Sequence, residues 1–233
     1  MNPKKHIPNL LTCLNLLSGC LAIVCLANGD SFTAAILVIA AAIFDFFDGF
    51  AARMLKVSTP IGADLDSLAD MVTFGVVPGL TLLHYLAGSI STVNGLADFL
   101  NNPLLLIPFL IPVFSALRLA KFNVDTRQSD SFRGLPTPAS AMWVMSIPLV
   151  IEFAPLPLRG NMGTVQTVLV ADWYVIASSI GLSALMVSDI PLLALKFKSF
   201  GWKGNEPRYA LLIISLVLLI ILQTLAIPII LSL

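Results

Sequence analysis

The chain has 233 residues, of which 58% are hydrophobic and 11% are charged, and its formal net charge is zero. Soluble domains carry about 25% charged residues, so the composition excludes an ordinary soluble protein and indicates one built for lipid. No Gly-rich phosphate loop, Ser-His-Asp arrangement or nucleic-acid-binding motif is present, and no nucleic-acid partner is expected. The length suits one integral membrane domain over residues 1–233.

Seven apolar runs are long enough, or nearly so, to cross a bilayer. They cover residues 8–27, 32–54, 63–87, 103–122, 138–154, 167–188 and 209–232. The fifth run is close to the lower length limit for crossing the hydrocarbon core. The predicted fold class is therefore an all-α, polytopic membrane helical bundle with about six to seven transmembrane helices.

The distribution of basic residues predicts the orientation. If Lys4 and Lys5 lie in the cytoplasm, twelve of the 13 lysines and arginines fall on that side, and Arg159 alone falls outside. Such an excess follows the positive-inside rule. We therefore expect a cytoplasmic N-terminus, and location in the cell (inner) membrane if the organism is bacterial.

A group of acidic, small and basic residues interrupts the second and third apolar runs. Its members are Asp45, Asp48, Gly49, Ala52, Arg53, Gly62, Asp66 and Asp70. The first four follow the spacing i, i+3, i+4, i+7, and the last three follow i, i+4, i+8, so each set shares one helix face. A short connection with Pro60 allows the two faces to meet at the cytoplasmic side, between helices 2 and 3.

Carboxylates inside an apolar run are costly unless they face water, a cation or a partner. Four of them close together could not all stay ionised without cations between them. Carboxylate oxygens favour Mg2+, Mn2+ or Ca2+ over zinc, and the four could hold one ion or two ions about 4 Å apart. Gly49, Ala52 and Gly62 leave room for a ligand, and Arg53 could hold a phosphate oxygen. These features suit a diphosphate.

The pattern Asp45-x2-Asp48-Gly49-x2-Ala52-Arg53-x8-Gly62-x3-Asp66-x3-Asp70 resembles the signature of the CDP-alcohol phosphatidyltransferases at every defined position. The resemblance implies a metal-dependent membrane enzyme that displaces CMP from a CDP-linked lipid with an alcohol. It implies that Asp45, Asp48, Asp66 and Asp70 bind metal, and that Asp70 is also the general base. It further implies that Gly49, Ala52, Arg53 and Gly62 shape the CDP pocket and that the protein is a homodimer.

Four further segments are similar to the phosphatidylserine synthase branch of that family. They are Ile7–Asn15, Leu65–Gly75, Ala116–Asn123 and Phe132–Pro138. This similarity implies CDP-diacylglycerol and L-serine as substrates, with phosphatidylserine and CMP as products. Two alternatives stay open: another acceptor such as glycerol 3-phosphate or inositol phosphate, and a membrane cation transporter, since intramembrane acids also mark ion pathways.

Polar residues outside the acidic group are candidates for substrate contacts. The carboxylate of serine needs a cation or hydrogen-bond donors. The candidates for the acceptor site are Arg118, Lys121, Asn123, Arg133 and Thr137. The basic ones could instead set topology or attract lipid headgroups. Asn9, Thr12 and Asn15 share a face of the first predicted span and could contact either the nucleotide or polar neighbours on other helices.

Overall fold

The computed structural model describes residues 6–57, 59–89, 95–124, 134–153 and 167–190, together with residue 215. Within these ranges the regular secondary structure is entirely helical, as the long apolar runs predict. The principal helices are α1 (Ile7–Ala27), α2 (Ser31–Leu55), α3 (Gly62–Ser89), α4 (Leu96–Asn101), α5 (Pro103–Val124), α6 (Thr137–Glu152) and α7 (Asp172–Val187).

Helices α1, α2, α3 and α5 are each long and apolar enough to cross a membrane. They coincide with the first four predicted spans. Helices α6 and α7 have 16 residues each and occupy most of the fifth and sixth predicted spans. The seventh, 209–232, lies outside the described residues except for residue 215. The protein is thus a helical integral membrane protein, and a count of six to seven spans stays a prediction.

Defined caps at both ends of α2 fix the direction of the chain. Asp30 accepts a 2.8 Å hydrogen bond from the backbone N–H of Thr33 at the N-terminus. Hydrogen bonds from Thr33 lower the pKa of Asp30. At the other end Lys56 adopts a left-handed conformation with φ 51°, and the Val57 N–H bonds to the Ala52 carbonyl at 3.1 Å. This Schellman-type ending turns the chain towards α3.

The core of the bundle forms around α3. Its side chains Phe74, Val77, Leu82 and Leu86 are fully buried. They pack in one apolar cluster with residues of α1, α2, α5, α6 and α7. By contrast, α1 and α2 expose large apolar side chains along their outer faces, as helices in contact with lipid do. Helix α3 is therefore the central helix, and its N-terminal part carries Asp66 and Asp70, two of the four aspartates of the acidic group.

Small residues bring α3 and α5 into close contact. A Cβ at Gly79 would lie 2.8 Å from Pro112 Cδ, and one at Gly75 would lie 3.1 Å from Ser115 Cβ. The two glycines are one turn apart, so they form a groove on α3 that receives α5. Close backbone approach at such positions is a usual means of helix association in lipid.

A π-helical segment interrupts α3 directly after its acidic part. The α-helical hydrogen-bond pattern runs over Gly62–Asp70, changes to a π pattern over Met71–Val76, and returns at Val77. The apolar pattern of the third predicted span gave no indication of this change. A π turn contains one more residue than an α turn, so the residues after Asp70 lie on different helix faces from those that a continuous α-helix would give them. Such segments are frequent at functional sites.

Candidate active site

Three of the predicted acidic residues meet across α2 and α3. Asp45 and Asp48 lie one turn apart on α2, and Asp66 lies on the first turns of α3. One carboxylate oxygen from each can be chosen so that all three lie within 4.8 Å of one another. Asp48 is buried, while Asp45 and Asp66 are half-buried. The capped end of α2 and the short connection to α3 bring these faces together, as their spacing predicts.

The three carboxylates fit a divalent cation. Asp66 Oδ1 is buried and accepts no hydrogen bond from the described residues. A buried carboxylate oxygen without a donor is costly, and a bound cation would satisfy it. Since every donor is a carboxylate oxygen, the set suits Mg2+, Mn2+ or Ca2+ better than zinc. Asp45, Asp48 and Asp66 are thus the residues that would hold the ion.

Helix α1 supports this acidic triad, Asp45, Asp48 and Asp66, through Thr12. The Thr12 Oγ1 lies 2.6 Å from Asp48 Oδ2 and 3.1 Å from the Pro8 carbonyl. A hydroxyl has one proton, and the shorter distance and the negative charge favour donation to Asp48. Thr12 is buried, so this bond is shielded from bulk water. Thr12 therefore contacts a polar neighbour on another helix, which is one of the two roles left open for it, and a contact with the nucleotide stays a prediction.

Asp70 lies one turn further along α3 and is outside the triad. It is 8% exposed, and its Oδ1 accepts a 3.2 Å hydrogen bond from Asn15 Nδ2. It is close enough to Asp45, Asp66 and Arg118 to interact with their charges. The sequence placed all four carboxylates in one metal site, whereas the structure groups three of them. A metal-ligand role for Asp70 stays a prediction.

A cavity of about 270 Å³ adjoins the triad. Seven residues singled out in the sequence line it: Asn9, Thr12, Asp48, Gly49, Ala52, Gly62 and Asp66. Pro8, Val57, Thr59 and Ala63 complete the lining. Two carboxylates of the triad therefore face a space bounded by small residues, as a phosphate-bearing ligand beside a cation requires.

Glycine at position 62 is needed for close packing of the cavity wall. A Cβ there would lie 2.9 Å from Thr59 Oγ1, and this hydroxyl donates a 3.0 Å hydrogen bond to Asn9 Oδ1. Thr59 was not among the predicted site residues. Its position three residues before Gly62, in the connection between the two helix faces that carry the acidic residues, was the available signal.

Arg53 is exposed at the end of α2 and is not part of the cavity lining. Its guanidinium lies next to Gly49, since a Cβ at Gly49 would be 3.5 Å from Arg53 Nη1. The guanidinium therefore lies beside the face of α2 that carries Asp45, Asp48 and Gly49. This placement keeps it within one helical turn of the cavity.

Arg118 and Thr137 form a second polar contact close to Asp70. Arg118 Nη1 on α5 donates a 3.2 Å hydrogen bond to Thr137 Oγ1 at the start of α6. Thr137 is fully buried, and Arg118 is 8% exposed. A buried arginine requires compensation for its desolvation, and the nearby charge of Asp70 contributes to it.

The other acceptor-site candidates are more peripheral. Asn123 is exposed and donates a 2.9 Å hydrogen bond from Nδ2 to Ser67 Oγ on α3. Lys121 is exposed on α5. Arg133 lies outside the described residues. Among the described candidates, only Arg118 and Thr137 are buried, so they have the strongest structural connection to the acidic residues.

Gly134 anchors the segment that leads to Thr137. It has φ +73°, and a Cβ there would lie 2.7 Å from the Met186 carbonyl oxygen and 2.8 Å from that of Ser188. Its N–H bonds to the Ile190 carbonyl at 3.0 Å, and the Leu135 N–H bonds to that of Leu185 at 2.9 Å. The end of α7 thus fixes where α6 begins and where Thr137 meets Arg118.

The acidic triad, the adjoining cavity and the helical membrane fold together match the resemblance found in the sequence. A family model described as CDP-alcohol phosphatidyltransferase matches residues 5–184. The chain therefore belongs to the CDP-alcohol phosphatidyltransferase family, and the predicted family is confirmed.

Several curated relatives are similar to this chain over most of its length. The chain is 30% identical over 229 residues to the CDP-diacylglycerol–serine O-phosphatidyltransferase of Helicobacter pylori, covering 97% of this chain and 87% of that protein. It is 32% identical over 186 residues to the enzyme of that name from Bacillus subtilis, covering 80% and 89%. It is also 32% identical over 179 residues to the archaetidylserine synthase of Methanothermobacter thermautotrophicus, covering 74% and 72%.

Proposed function

We propose that this protein transfers the phosphatidyl group of CDP-diacylglycerol to L-serine, giving phosphatidylserine and CMP. The observation that carries the reaction class is the acidic triad beside a cavity in a member of this family. Serine as the acceptor is supported by the names of the relatives. Two are CDP-diacylglycerol–serine O-phosphatidyltransferases, and the third, an archaetidylserine synthase, is named for a different serine-containing lipid.

The diphosphate of the CDP-lipid would lie in the cavity beside Asp48 and Asp66. Asp45, Asp48 and Asp66 would hold a divalent cation, and Asp70 is a candidate ligand of a second one; bound metal would supply positive charge to the diphosphate and the departing CMP. Gly49, Ala52 and Gly62 leave space for the nucleotide, and Arg53 is close enough to the cavity to bind a phosphate oxygen.

Asp70 would act as general base. The serine hydroxyl oxygen forms a new bond to the phosphorus that carries diacylglycerol, and Asp70 accepts the hydroxyl proton. The bond from that phosphorus to the bridging oxygen breaks, and its electron pair leaves with CMP. Burial of Asp70 close to the triad supports this assignment.

Arg118 is the best-supported group for binding the carboxylate of serine. It is buried, it is held by Thr137, and its charge interacts with that of Asp70. A carboxylate bound by Arg118 would bring the serine hydroxyl towards Asp70, since the two groups of serine are only a few bonds apart. Lys121, Asn123 and Arg133 remain candidates for an outer part of the same site.

The orientation and assembly belong to the same proposal. The basic residues support a cytoplasmic N-terminus and a cytoplasmic active site, in the cell (inner) membrane if the organism is bacterial. A soluble CMP product would then be released into the cytoplasm. Family resemblance supports a homodimer.

The deciding experiment measures CMP release by purified protein in detergent micelles that contain CDP-diacylglycerol and Mn2+ or Mg2+. L-serine, glycerol 3-phosphate and inositol phosphate are supplied separately. Of the three alcohols, we expect only L-serine to give CMP release, together with phosphatidylserine. CMP release only with another alcohol would overturn serine as the acceptor. No CMP with any alcohol, together with cation flux in liposomes that survives Asp70→Asn, would support transport instead.

A further inference from the structure

A buried asparagine on α1 contacts the proposed general base. Asn15 is fully buried, and its Nδ2 donates a 3.2 Å hydrogen bond to Asp70 Oδ1. Its own Oδ1 is buried and has no hydrogen-bond partner among the described residues. A buried amide oxygen without a donor costs free energy, so a side chain selected for stability alone would not be expected here.

Asn15 is also attached to α3 beyond Asp70. Its backbone carbonyl accepts a 3.2 Å hydrogen bond from Thr73 Oγ1. A Cβ at Gly19 would overlap Thr73 Oγ1, so α1 and α3 are in direct contact one turn further on. Helix α3 changes from an α to a π pattern between Asp70 and Thr73. The two hydrogen bonds of Asn15 therefore hold both sides of this junction.

We propose that Asn15 is a positioning residue for Asp70. This inference depends on the proposed function, because it assigns a role within that reaction. The amide N–H occupies Oδ1 and fixes the rotation of the carboxylate, so Oδ2 is presented to the acceptor hydroxyl. A base held in one orientation does not lose rotational freedom when the substrate binds, and this contributes to the rate of proton transfer. Asn15 is not among the residues that line the cavity beside the triad.

The test compares Asn15→Leu and Asn15→Asp with the wild-type protein. Leu has a similar shape and no donor, while Asp keeps the shape and replaces the amide by a carboxylate. Thr81→Val is the matched control, because Thr81 is a fully buried polar residue of α3 whose hydroxyl bonds to the Val77 carbonyl of its own helix. Turnover, KM for each substrate, activation by Mn2+ and thermal unfolding are measured for all four proteins.

We expect kcat to fall by about 10- to 100-fold in both Asn15 variants, as is typical when a supporting residue of a site is lost. KM for serine and for CDP-diacylglycerol should stay within about threefold, because binding contacts are unchanged. Thr81→Val should keep the wild-type kcat. An effect on KM alone, or a kcat within about threefold of wild type, would overturn the positioning role.

A second measurement does not depend on turnover. Infrared spectra of protein with 13C-labelled aspartate, compared with Asp70→Asn, identify the carboxyl band of Asp70. Asn15→Leu should shift this band, and Thr81→Val should not. An unchanged band overturns the inference. Loss of folded protein in both Asn15 variants would assign Asn15 to folding and overturn it too.

The two proposals fail in different ways. If the wild-type protein uses another alcohol, serine is wrong as the acceptor, and the kcat comparison is made with that alcohol. If it releases no CMP with any alcohol, the proposed function and the positioning role both fall, even where the band of Asp70 shifts.

Discussion

Thr12 Oγ1 donates a 2.6 Å hydrogen bond to Asp48 Oδ2 and so connects α1 to the acidic triad. The two residues are 36 positions apart in the sequence. The bond leaves the other oxygen of Asp48 available to a cation and fixes the orientation of the carboxylate. Residues that orient metal ligands in this way contribute to metal affinity.

Thr12→Val should therefore weaken metal activation. The variant keeps the shape of the side chain but removes the donor, so Asp48 loses its orienting hydrogen bond. We expect the Mn2+ concentration for half-maximal CMP release to rise by about tenfold or more. Thr12→Ser keeps the hydroxyl and should stay close to wild type. If the Thr12→Val and Thr12→Ser proteins needed the same Mn2+ concentration for half-maximal CMP release, this role of Thr12 would be contradicted.

Asp66→Asn should remove the response to divalent metal. The amide replaces one of three carboxylates, leaving a weaker and less charged ligand set. Asp64→Asn is the matched control, because Asp64 is exposed and two residues away on the same helix. The measurement is thermal unfolding with and without Mn2+.

Binding to the folded state at 100 times Kd stabilises a protein by about 2.7 kcal/mol, provided the unfolded chain does not bind the ligand. This gain should appear for wild type and Asp64→Asn and be absent for Asp66→Asn. Chelation of the metal should abolish CMP release in wild type and in Asp64→Asn. Metal stabilisation that persists in Asp66→Asn would place the ion elsewhere.

Gly62→Ala should impair binding of the CDP-lipid. Its Cβ would lie 2.9 Å from Thr59 Oγ1, so the Thr59 side chain must move within the cavity wall. We expect KM for CDP-diacylglycerol to rise about tenfold, equivalent to about 1.4 kcal/mol. Gly88→Ala is the control, since no atom lies within 4 Å of a Cβ at that exposed position of the same helix.

A double variant separates this steric effect from a loss of flexibility. Thr59→Ala removes the atom that the new Cβ would meet, so adding it to Gly62→Ala should restore part of the affinity. Contacting residues are expected to show such non-additive effects. If the two substitutions raised KM for CDP-diacylglycerol additively, contact with Thr59 would not be the cause of the Gly62→Ala effect.

Arg118→Lys should raise KM for serine while leaving KM for the CDP-lipid within about threefold. Lysine keeps the charge but cannot donate in two directions as a guanidinium does. We expect an increase of about tenfold or more, measured by CMP release at saturating CDP-diacylglycerol. Thr137→Val removes one hydrogen-bond partner of Arg118 and should produce a smaller change in the same direction. Unchanged KM for serine in both variants would remove Arg118 from the acceptor site.

Gly134→Ala should destabilise the fold. The residue has φ +73°, and a Cβ would lie 2.7 Å from the Met186 carbonyl oxygen. Both the backbone conformation and the close contact oppose a side chain, so we expect a loss of more than about 1 kcal/mol. Gly181→Ala is the control within α7, because no atom lies within 4 Å of its Cβ, and it should be neutral or stabilising. Thermal unfolding measures both, and equal unfolding temperatures would contradict the prediction.

The sequence by itself determined the helical membrane class and the location of the acidic residues. Long apolar runs have few alternatives in lipid, because every backbone polar group must be satisfied within a helix. The i, i+3 and i+4 spacing of the carboxylates and small residues then fixed which of them share a face. For this reason the meeting of Asp45, Asp48 and Asp66 beside Gly49 and Gly62 was predictable.

Only the tertiary structure decided which residues support those carboxylates. Asn15 meets Asp70 across 55 positions, and Arg118 meets Thr137 across 19. Helical periodicity describes one helix at a time and contains no information on which face of another helix lies opposite. The hydrogen bond from Thr73 to the Asn15 carbonyl and the close contact at Gly134 lie beside those pairings. Both arise from packing between distant parts of the chain, so no local pattern in the sequence could reveal them.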